Sequence, residues 1–262
     1  MRLGDAIDFN PTEKLAKNTY AKKIGMDKLS PFYKYIDSFE YEKYSGGAKF
    51  KNGDTVVARI TPCLENGKTA YIDLLDNDEI AFGSTEFIVM RNKENVTIPE
   101  YVYYLSISPR FREKAISLMT GTSGRQRVQL DPLKEEKFYI SSIHNQIKMV
   151  KILSAIDEKI KLNSKINNNL YEISKQLLLK YLDENKSSDE INISKFLNIF
   201  TGKKNANETS STGKYKFFSC APESLLSDTY LCDSAAIIVA GNGAYTGRTR
   251  FYDGKFELYQ RT

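Results

Sequence analysis

From Ile143 to Leu182 the chain carries neither glycine nor proline. As one helix, this run of roughly 40 residues reaches about 60 Å at 1.5 Å per residue. Apolar residues recur along it at Met149, Leu153, Ile156 and Ile160, then at Ile166, Leu170, Ile173 and Leu177. The steps alternate four and three, the spacing of a coiled-coil seam. Polar Asn163 fills one seam position, and the register slips by one residue where two three-residue steps meet at Asn163–Ile166. Propensity alone does not hold a lone helix of this length, so its apolar stripe needs a partner helix. Length and polar flanks set it apart from a core helix of one globular domain. These eight apolar residues are expected to pair helix with helix.

The sequence on the two sides of this helix begins in the same way. Before it runs Phe50-Lys-Asn-Gly-Asp-Thr-Val-Val-Ala-Arg-Ile and then Glu65-Asn-Gly-Lys-Thr-Ala-Tyr-Ile; after it runs Leu231-Cys-Asp-Ser-Ala-Ala-Ile-Ile-Val-Ala and then Tyr245-Thr-Gly-Arg-Thr-Arg-Phe-Tyr. Each copy is an aspartate, a buried-type strand, a glycine turn beside a basic residue, and a second strand. The openings also align, Leu3-Gly-Asp-Ala-Ile-Asp-Phe with Ile193-Ser-Lys-Phe-Leu-Asn-Ile. An offset on the order of 190 residues lies far above solenoid periods and means a duplicated globular domain. The expected organisation is an α+β chain. A mixed α/β domain spans 1–142, the long helix spans 143–183, and the start of a second similar domain spans 184–262, broken off before it is complete. In the first domain, β-branched runs predict strands at Thr55–Ile60, Thr69–Ile72 and Glu86–Met90. Helices are predicted near Pro99–Ser106 and Pro109–Met119, each with proline in its first turn. The polar stretch from Asp183 to Glu190 reads as a linker.

Composition narrows the function classes. Lys and Arg number 38 against 33 Asp and Glu, a net charge of +5, which is a mild pull toward polyanions. Three cysteines, Cys63, Cys220 and Cys232, lack metal-ligand spacing and read as reduced thiols of a cytoplasmic protein. No signal peptide or membrane span is legible. The single histidine, His144, cannot build a two-histidine metal site or a nucleophile–base pair, and a surface or capping role is expected for it. No Pro-Asp…Glu-x-Lys nuclease pattern, no Asn-Pro-Pro-Tyr or Asp-Pro-Pro-Tyr methylation motif and no glycine-rich nucleotide loop occurs, so no catalytic residue, metal site or bound cofactor is expected.

Four segments carry a family resemblance. They are Phe50–Pro62, leading into an Arg-x-x-Pro turn; Gly83-Ser-Thr-Glu-Phe-Ile-Val-Met; Gly121-Thr-Ser-Gly-Arg-Gln-Arg-Val; and Asn145-Gln146 continuing through Ile152–Ile160. In this order and spacing the chain resembles the specificity subunit of type I restriction-modification systems. Family members often place prolines and a Glu-Gln pair ahead of the helix; here Tyr139–Gln146 lacks the prolines and has Asn145. The resemblance implies two target recognition domains separated by helices, reading a bipartite site in double-stranded DNA. It also implies methyltransferase subunits docked on the helices and using S-adenosylmethionine, with a restriction subunit as a further partner. Two other classes stay open, a stand-alone restriction endonuclease or methyltransferase and a coiled-coil scaffold with no DNA role. A homodimer through the long helix would supply the missing second helix.

Base reading needs side chains that fork onto base edges, arginine onto guanine and asparagine or glutamine onto adenine. Arg125, Gln126 and Arg127 offer such groups in a loop whose Thr122 and Ser123 suit phosphate oxygens; a solvated surface turn is the competing reading. Arg59, Asn66 and Lys68 lie on or beside a strand–turn–strand unit. Arg59 either reaches DNA or pairs with Glu86, and Lys68 is expected to be exposed on the turn. Ser84 and Thr85 at a strand start are weaker candidates. In the second copy, Arg248 and Arg250 share a strand face. Lys203 and Lys204 are expected as exposed phosphate partners or as part of a solvated loop.

Overall fold

A short β-branched run bounded by Gly53 and Asp54, Thr55-Val-Val-Ala, forms the buried heart of the first half of the protein. The structure, a computed structural model, describes residues 1–122, 124–185, 192–205 and 207–262. They form two units, Met1–Tyr181 and Leu182–Thr262.

Unit 1 opens on α1 (Leu3–Ala6) and β1 (Ile7–Phe9), followed by β2 (Tyr20–Ile24), β3 (Glu40–Lys43), β4 (Lys49–Phe50), β5 (Thr55–Ala58), β6 (Thr69–Tyr71), β7 (Ala81–Gly83) and β8 (Phe87–Asn92). Then come α2 (Pro99–Ile107), α3 (Pro109–Ser117), the short hairpin of β9 (Met119–Thr120) and β10 (Arg127–Val128), α4 (Leu130–Glu135) and α5 (Ile143–Glu184). One sheet has the order β1-β8-β5-β6 and is antiparallel throughout. The other has the order β3-β2-β7-β4, with β2 and β7 parallel. Successive residues of a strand face opposite sides. Val57, Ile88 and Met90 therefore enter a core with Leu3, Val102 and Phe111, while Val56, Phe87 and Val89 enter a second core with Ile24, Phe50 and Ala70. A sheet buried on both faces reads as continuous apolar sequence, which is why β5 and β8 were legible.

The predicted helices appear with Pro99 and Pro109 at their N-termini, and Ser108 caps α3 by accepting from Phe111 N at 3.3 Å. α3 stops at Ser117 rather than Met119, because Met119 and Thr120 pair with Val128 and Arg127. β5 stops at Ala58 rather than Ile60. Arg59 N turns to Glu86 O (2.9 Å) and Arg59 O accepts from Val128 N (2.9 Å), so the backbone leaves the ladder with β6. α5 is one uninterrupted helix of 42 residues, and of its side chains Gln146 is the buried one. His144, in its first turn, is exposed.

Unit 2 contains β11 (Tyr215–Phe218), β12 (Leu225–Ser227), β13 (Cys232–Asp233), β14 (Ala236–Val239), β15 (Thr249–Tyr252) and β16 (Lys255–Leu258). Its sheet runs β12-β11-β16-β13, with β11 parallel to β16 and the other pairs antiparallel. Order and sense are those of β3-β2-β7-β4. The hairpin β14–β15 repeats β5–β6, and the turns align on Gly67-Lys68-Thr69 and Gly247-Arg248-Thr249, both glycines holding positive φ (+75° and +82°). Duplication is therefore visible in the topology. The aligned openings differ, however. Leu3–Phe9 forms α1 and β1, whereas Ile193–Lys195 makes one 3-10 turn with no strand directly after it. β1 exists by pairing with β8, and no described residue of unit 2 forms a counterpart of β8. Among the described residues no helix is long and apolar enough to cross a membrane.

Candidate nucleic-acid interface

Three segments of unit 1 meet where β5 ends. Ile60 bridges to Arg127, Thr61 N donates to Gln126 O (3.0 Å), and Arg59 holds both the Glu86 turn and Val128 through its backbone. The β5 end, the turn before β8 and the β9–β10 hairpin are thus tied by main-chain bonds, which fix position without using up side chains. Gly121 (φ +130°) and Gly124 (φ +76°) shape the hairpin tip, and a Cβ on Gly121 would come 3.0 Å from Arg125 O.

Arg125 and Thr122 are exposed at this tip, where Arg125 N closes a turn onto Thr122 O (3.0 Å). Gln126 is half-buried; Ser123 lies outside the described residues. Arg127 forks onto Glu86, with Nε and Nη2 donating to its carboxylate at 2.7–2.9 Å. That bond holds the Glu86 carboxyl below its ordinary range, against the opposing effect of burial. Pairing with Glu86 was one of the two readings open for Arg59. Arg127 takes the carboxylate instead, because the β10 register brings its guanidinium to the same turn; Arg59 hydrogen-bonds Glu86 through its backbone, and its charge adds a smaller pull on the carboxylate. Arg127 therefore spends its fork on Glu86, at a side chain that stays 42% exposed.

Arg59 is half-buried, and its Nε has no hydrogen-bond partner among the described residues. It lines a cleft of about 400 Å³ together with Asn10, Thr12, Lys49 and Thr85, over a floor of Phe87 and Val89. Asn10, Thr12 and Lys49 had no legible sequence signal. Thr85 is exposed; Ser84 is half-buried and accepts from Glu86 N (3.1 Å), so it shapes the turn.

Asn66 is exposed on the turn between β5 and β6. That turn is pinned by Arg112, which donates to Glu65 O (2.9 Å) and stacks over Phe32 (4.5 Å). Lys68 is half-buried rather than exposed, because its ammonium donates to Met26 O at 2.8 Å.

In unit 2, Lys203 and Arg248 are exposed. Lys204 is not the exposed group expected: its Nζ donates to Ser227 Oγ (3.0 Å) and Thr229 Oγ1 (2.6 Å) and pairs with Glu257 (3.4 Å). Arg248 precedes β15 and lies over the Tyr245 ring, whereas Arg250 donates to Ala221 O and lies over Phe218.

The interface has the makings of a polyanion surface. Arg59, Lys49 and Arg125 supply positive charge, and Thr85, Thr122 and Gln126 supply hydrogen-bonding groups. Among the described residues no cluster of His, Cys, Asp and Glu could hold a metal ion.

Residues 1–172 match the sequence profile of the type I restriction modification DNA specificity domain. The type I restriction enzyme EcoAI specificity subunit of Escherichia coli is 36% identical over 109 residues, 40% of this chain and 18% of that protein. The HindI specificity subunit of Haemophilus influenzae is 28% identical over 182 residues, 67% of this chain and 38% of that protein. The chain thus spans well under half of either relative. Two solved structures share the fold. The S subunit of a type I restriction-modification system from M. genitalium has TM-score 0.54 and 16% identity, covering 100% of this chain and 70% of that one. The HsdS subunit from Thermoanaerobacter tengcongensis has TM-score 0.50 and 15% identity, covering 100% and 73%.

Proposed function

The chain belongs to the family of type I restriction-modification DNA specificity domains, and on that premise we propose that it is a non-catalytic, cytoplasmic reader of one half of a bipartite duplex DNA site. Unit 1 reads the half-site, and α5 serves as spacer and dock for methyltransferase subunits. Those partners bind S-adenosylmethionine, and a restriction subunit completes the assembly. The observation that carries this reading is that the three segments bearing Arg59, Thr85 and Arg125 are locked together by backbone bonds. Such a rigid, basic, donor-rich edge suits phosphate positioning with a few base contacts. Exposed Asn66 and Lys203, half-buried Lys68 and Ser84, and Arg248 and Arg250 of unit 2 are candidates for peripheral phosphate contact.

The test is binding of the pure chain to duplex DNA across a salt series, with the logarithm of affinity falling linearly with the logarithm of salt. Absence of binding at low salt would favour the scaffold reading. Cut or methylated DNA from the chain alone, given metal ion and methyl donor, would favour the enzyme reading.

The seam of α5 favours a homodimer. Its positions step 4-3-4-3 from Met149 to Asn163 and 3-4-3-4 from Asn163 to Leu177, so they read the same in both directions about Asn163. Apart from half-buried Leu153, its apolar members are 43–63% exposed. An antiparallel second copy would match Met149 with Leu177, Leu153 with Ile173, Ile156 with Leu170, Ile160 with Ile166, and Asn163 with itself. That arrangement puts two recognition domains at opposite ends of the helical pair.

A further inference from the structure

α5 meets its own domain through a face that is mostly polar. Ile143, Gln146, Val150, Ser154, Asp157 and Lys161 lose exposure at steps of three and four, with Leu153 at the margin, which is one side of a helix. From Leu162 through Leu182 every residue is exposed. Two anchors act along this face. The first is Gln146, fully buried, whose carbonyl accepts from Ile98 N (3.0 Å) and whose amide donates to Val96 O (2.8 Å) and Ser141 O (2.7 Å).

The second is Lys34, a loop lysine only 5% exposed. Its Nζ lies 4.9–5.7 Å from the ring centres of Tyr35, Tyr71, Tyr103 and Tyr104. It also donates to Tyr104 OH (3.2 Å) and to Ser154 Oγ on the helix (3.4 Å). Tyr104 OH passes the contact on to Asp157 Oδ2 at 2.6 Å. Lys161 closes the far side over the Tyr35 ring (3.7 Å) and against Asp73 (3.8 Å). Burial pushes the Lys34 ammonium down and the Tyr35 hydroxyl up to about 12, so Tyr35 stays neutral beside the cation.

A stripe of aliphatic side chains would let a helix slide and roll at small cost. Directional bonds to a caged cation do not, because a helix rotated by one position takes Ser154 away from the buried ammonium and Asp157 away from the Tyr104 hydroxyl. We infer that Lys34 is a positioning residue that fixes the direction in which α5 leaves the recognition domain. Fixing that direction sets the gap between half-sites. This consequence for the gap rests on the DNA-reading assignment; the joint itself does not.

Spin labels at Glu94→Cys and Lys175→Cys test the joint, in full-length chain with Cys63, Cys220 and Cys232 replaced by serine and diluted with unlabelled chain. The helix rise places the labels on the order of 45 Å apart. Double electron–electron resonance should give one narrow distance distribution, and Lys34→Met, which keeps the stem but not the charge, should broaden or shift it. Should Lys34→Met lose its cooperative melt, the triple variant Tyr104→Phe, Ser154→Ala, Asp157→Asn severs the same links from the helix side and decides the matter. An unchanged narrow distribution in the folded variant overturns the inference. With methyltransferase subunits added, the unmodified chain should discriminate between DNA gaps differing by one base pair, and Lys34→Met should lose that discrimination while binding a single half-site equally well. If the unmodified chain binds no DNA, the DNA-reading assignment fails and the distance measurement still judges the joint.

Discussion

Arg125 and Arg127 stand two residues apart in the sequence and have different work. Arg125 is exposed at the hairpin tip, whereas Arg127 is forked onto Glu86. Arg125→Ala should leave the hairpin intact and weaken DNA binding on the order of ten-fold, concentrated at one base position if its fork meets a base edge. Competition binding with single-base variants of the half-site checks this; an equal loss on every sequence would make it a phosphate contact. Arg127→Ala should instead speed amide exchange at Thr120 and Val128, because it unties the hairpin from the β8 turn. The Glu86–Arg127 bond also has a pH signature. Glu86 is held below its ordinary value of 4.5, first by the hydrogen bond from Arg127. A carboxyl with a depressed folded-state pKa contributes stability above its unfolded pKa, and that contribution fades as pH falls through the folded one. Hairpin protection should therefore decline below pH 4.5 in the unmodified chain. Glu86→Gln should start lower at neutral pH and show no such decline, as hydrogen exchange measured across the acid range would reveal.

Whole elements were legible where one physical signal dominated. β5, β6 and β8 are β-branched runs between turn residues, α2 and α3 carry proline at their first position, and α5 keeps apolar steps of three and four with a single slip at Asn163. β2 and β3 were not legible, for a reason visible in their side chains. β3 is Glu-Tyr-Glu-Lys, exposed at every position. β2 buries Lys22, which reads as a surface residue until Glu79 (2.8 Å) and Asp76 (3.2 Å) arrive from fifty-odd residues away to neutralise it. The interface behaves likewise: its loop was readable as glycines and arginines, but the partner of Arg127 depends on strand register, and the cleft around Arg59 exists only once two sheets meet. Gln146 and Lys34 are the same case at the joint. In α5, Asn163 is the one polar residue of the seam, and a polar seam residue fixes register at a cost in stability. If two copies pair about it, Asn163→Leu should tighten the dimer and admit other registers. Ile156→Asp should abolish it by burying a charge at two mirrored layers. Sedimentation velocity over a concentration series reads both, and an unmodified chain that stays monomeric at all concentrations would remove the paired-helix proposal.

The molecule as a whole uses one strand plan at two levels of burial. In unit 1 the sheet bearing β5 is covered on both faces, by α1 to α4 on one side and the second sheet on the other. In unit 2 the core cluster is Phe218, Ile238, Phe256 and Leu258. Aligned on their glycine turns, Val57 of unit 1 and Val239 of unit 2 are the same residue at the same place, yet Val57 is 1% exposed and Val239 45%. Thr55 and Ile237 diverge in the same way, 0% against 66%. In unit 1 this face is the one that packs against Val102 of α2, and no described residue of unit 2 forms a counterpart of that helix. Two consequences follow for unfolding. With so much less apolar surface withdrawn from water, unit 2 should melt first, giving two calorimetric transitions rather than one. The matched valines then act as a paired probe. Val57→Ala removes buried methyl groups and should lower the upper transition by the equivalent of about 1–3 kcal/mol. Val239→Ala removes methyl groups of a residue 45% exposed and should shift the lower transition by less, about 0.5 kcal/mol. Equal shifts would mean that Val239 is covered in solution by something the chain's own fold does not provide. A null effect at both would contradict the placement of Val57 in the core on which the duplicated plan is drawn.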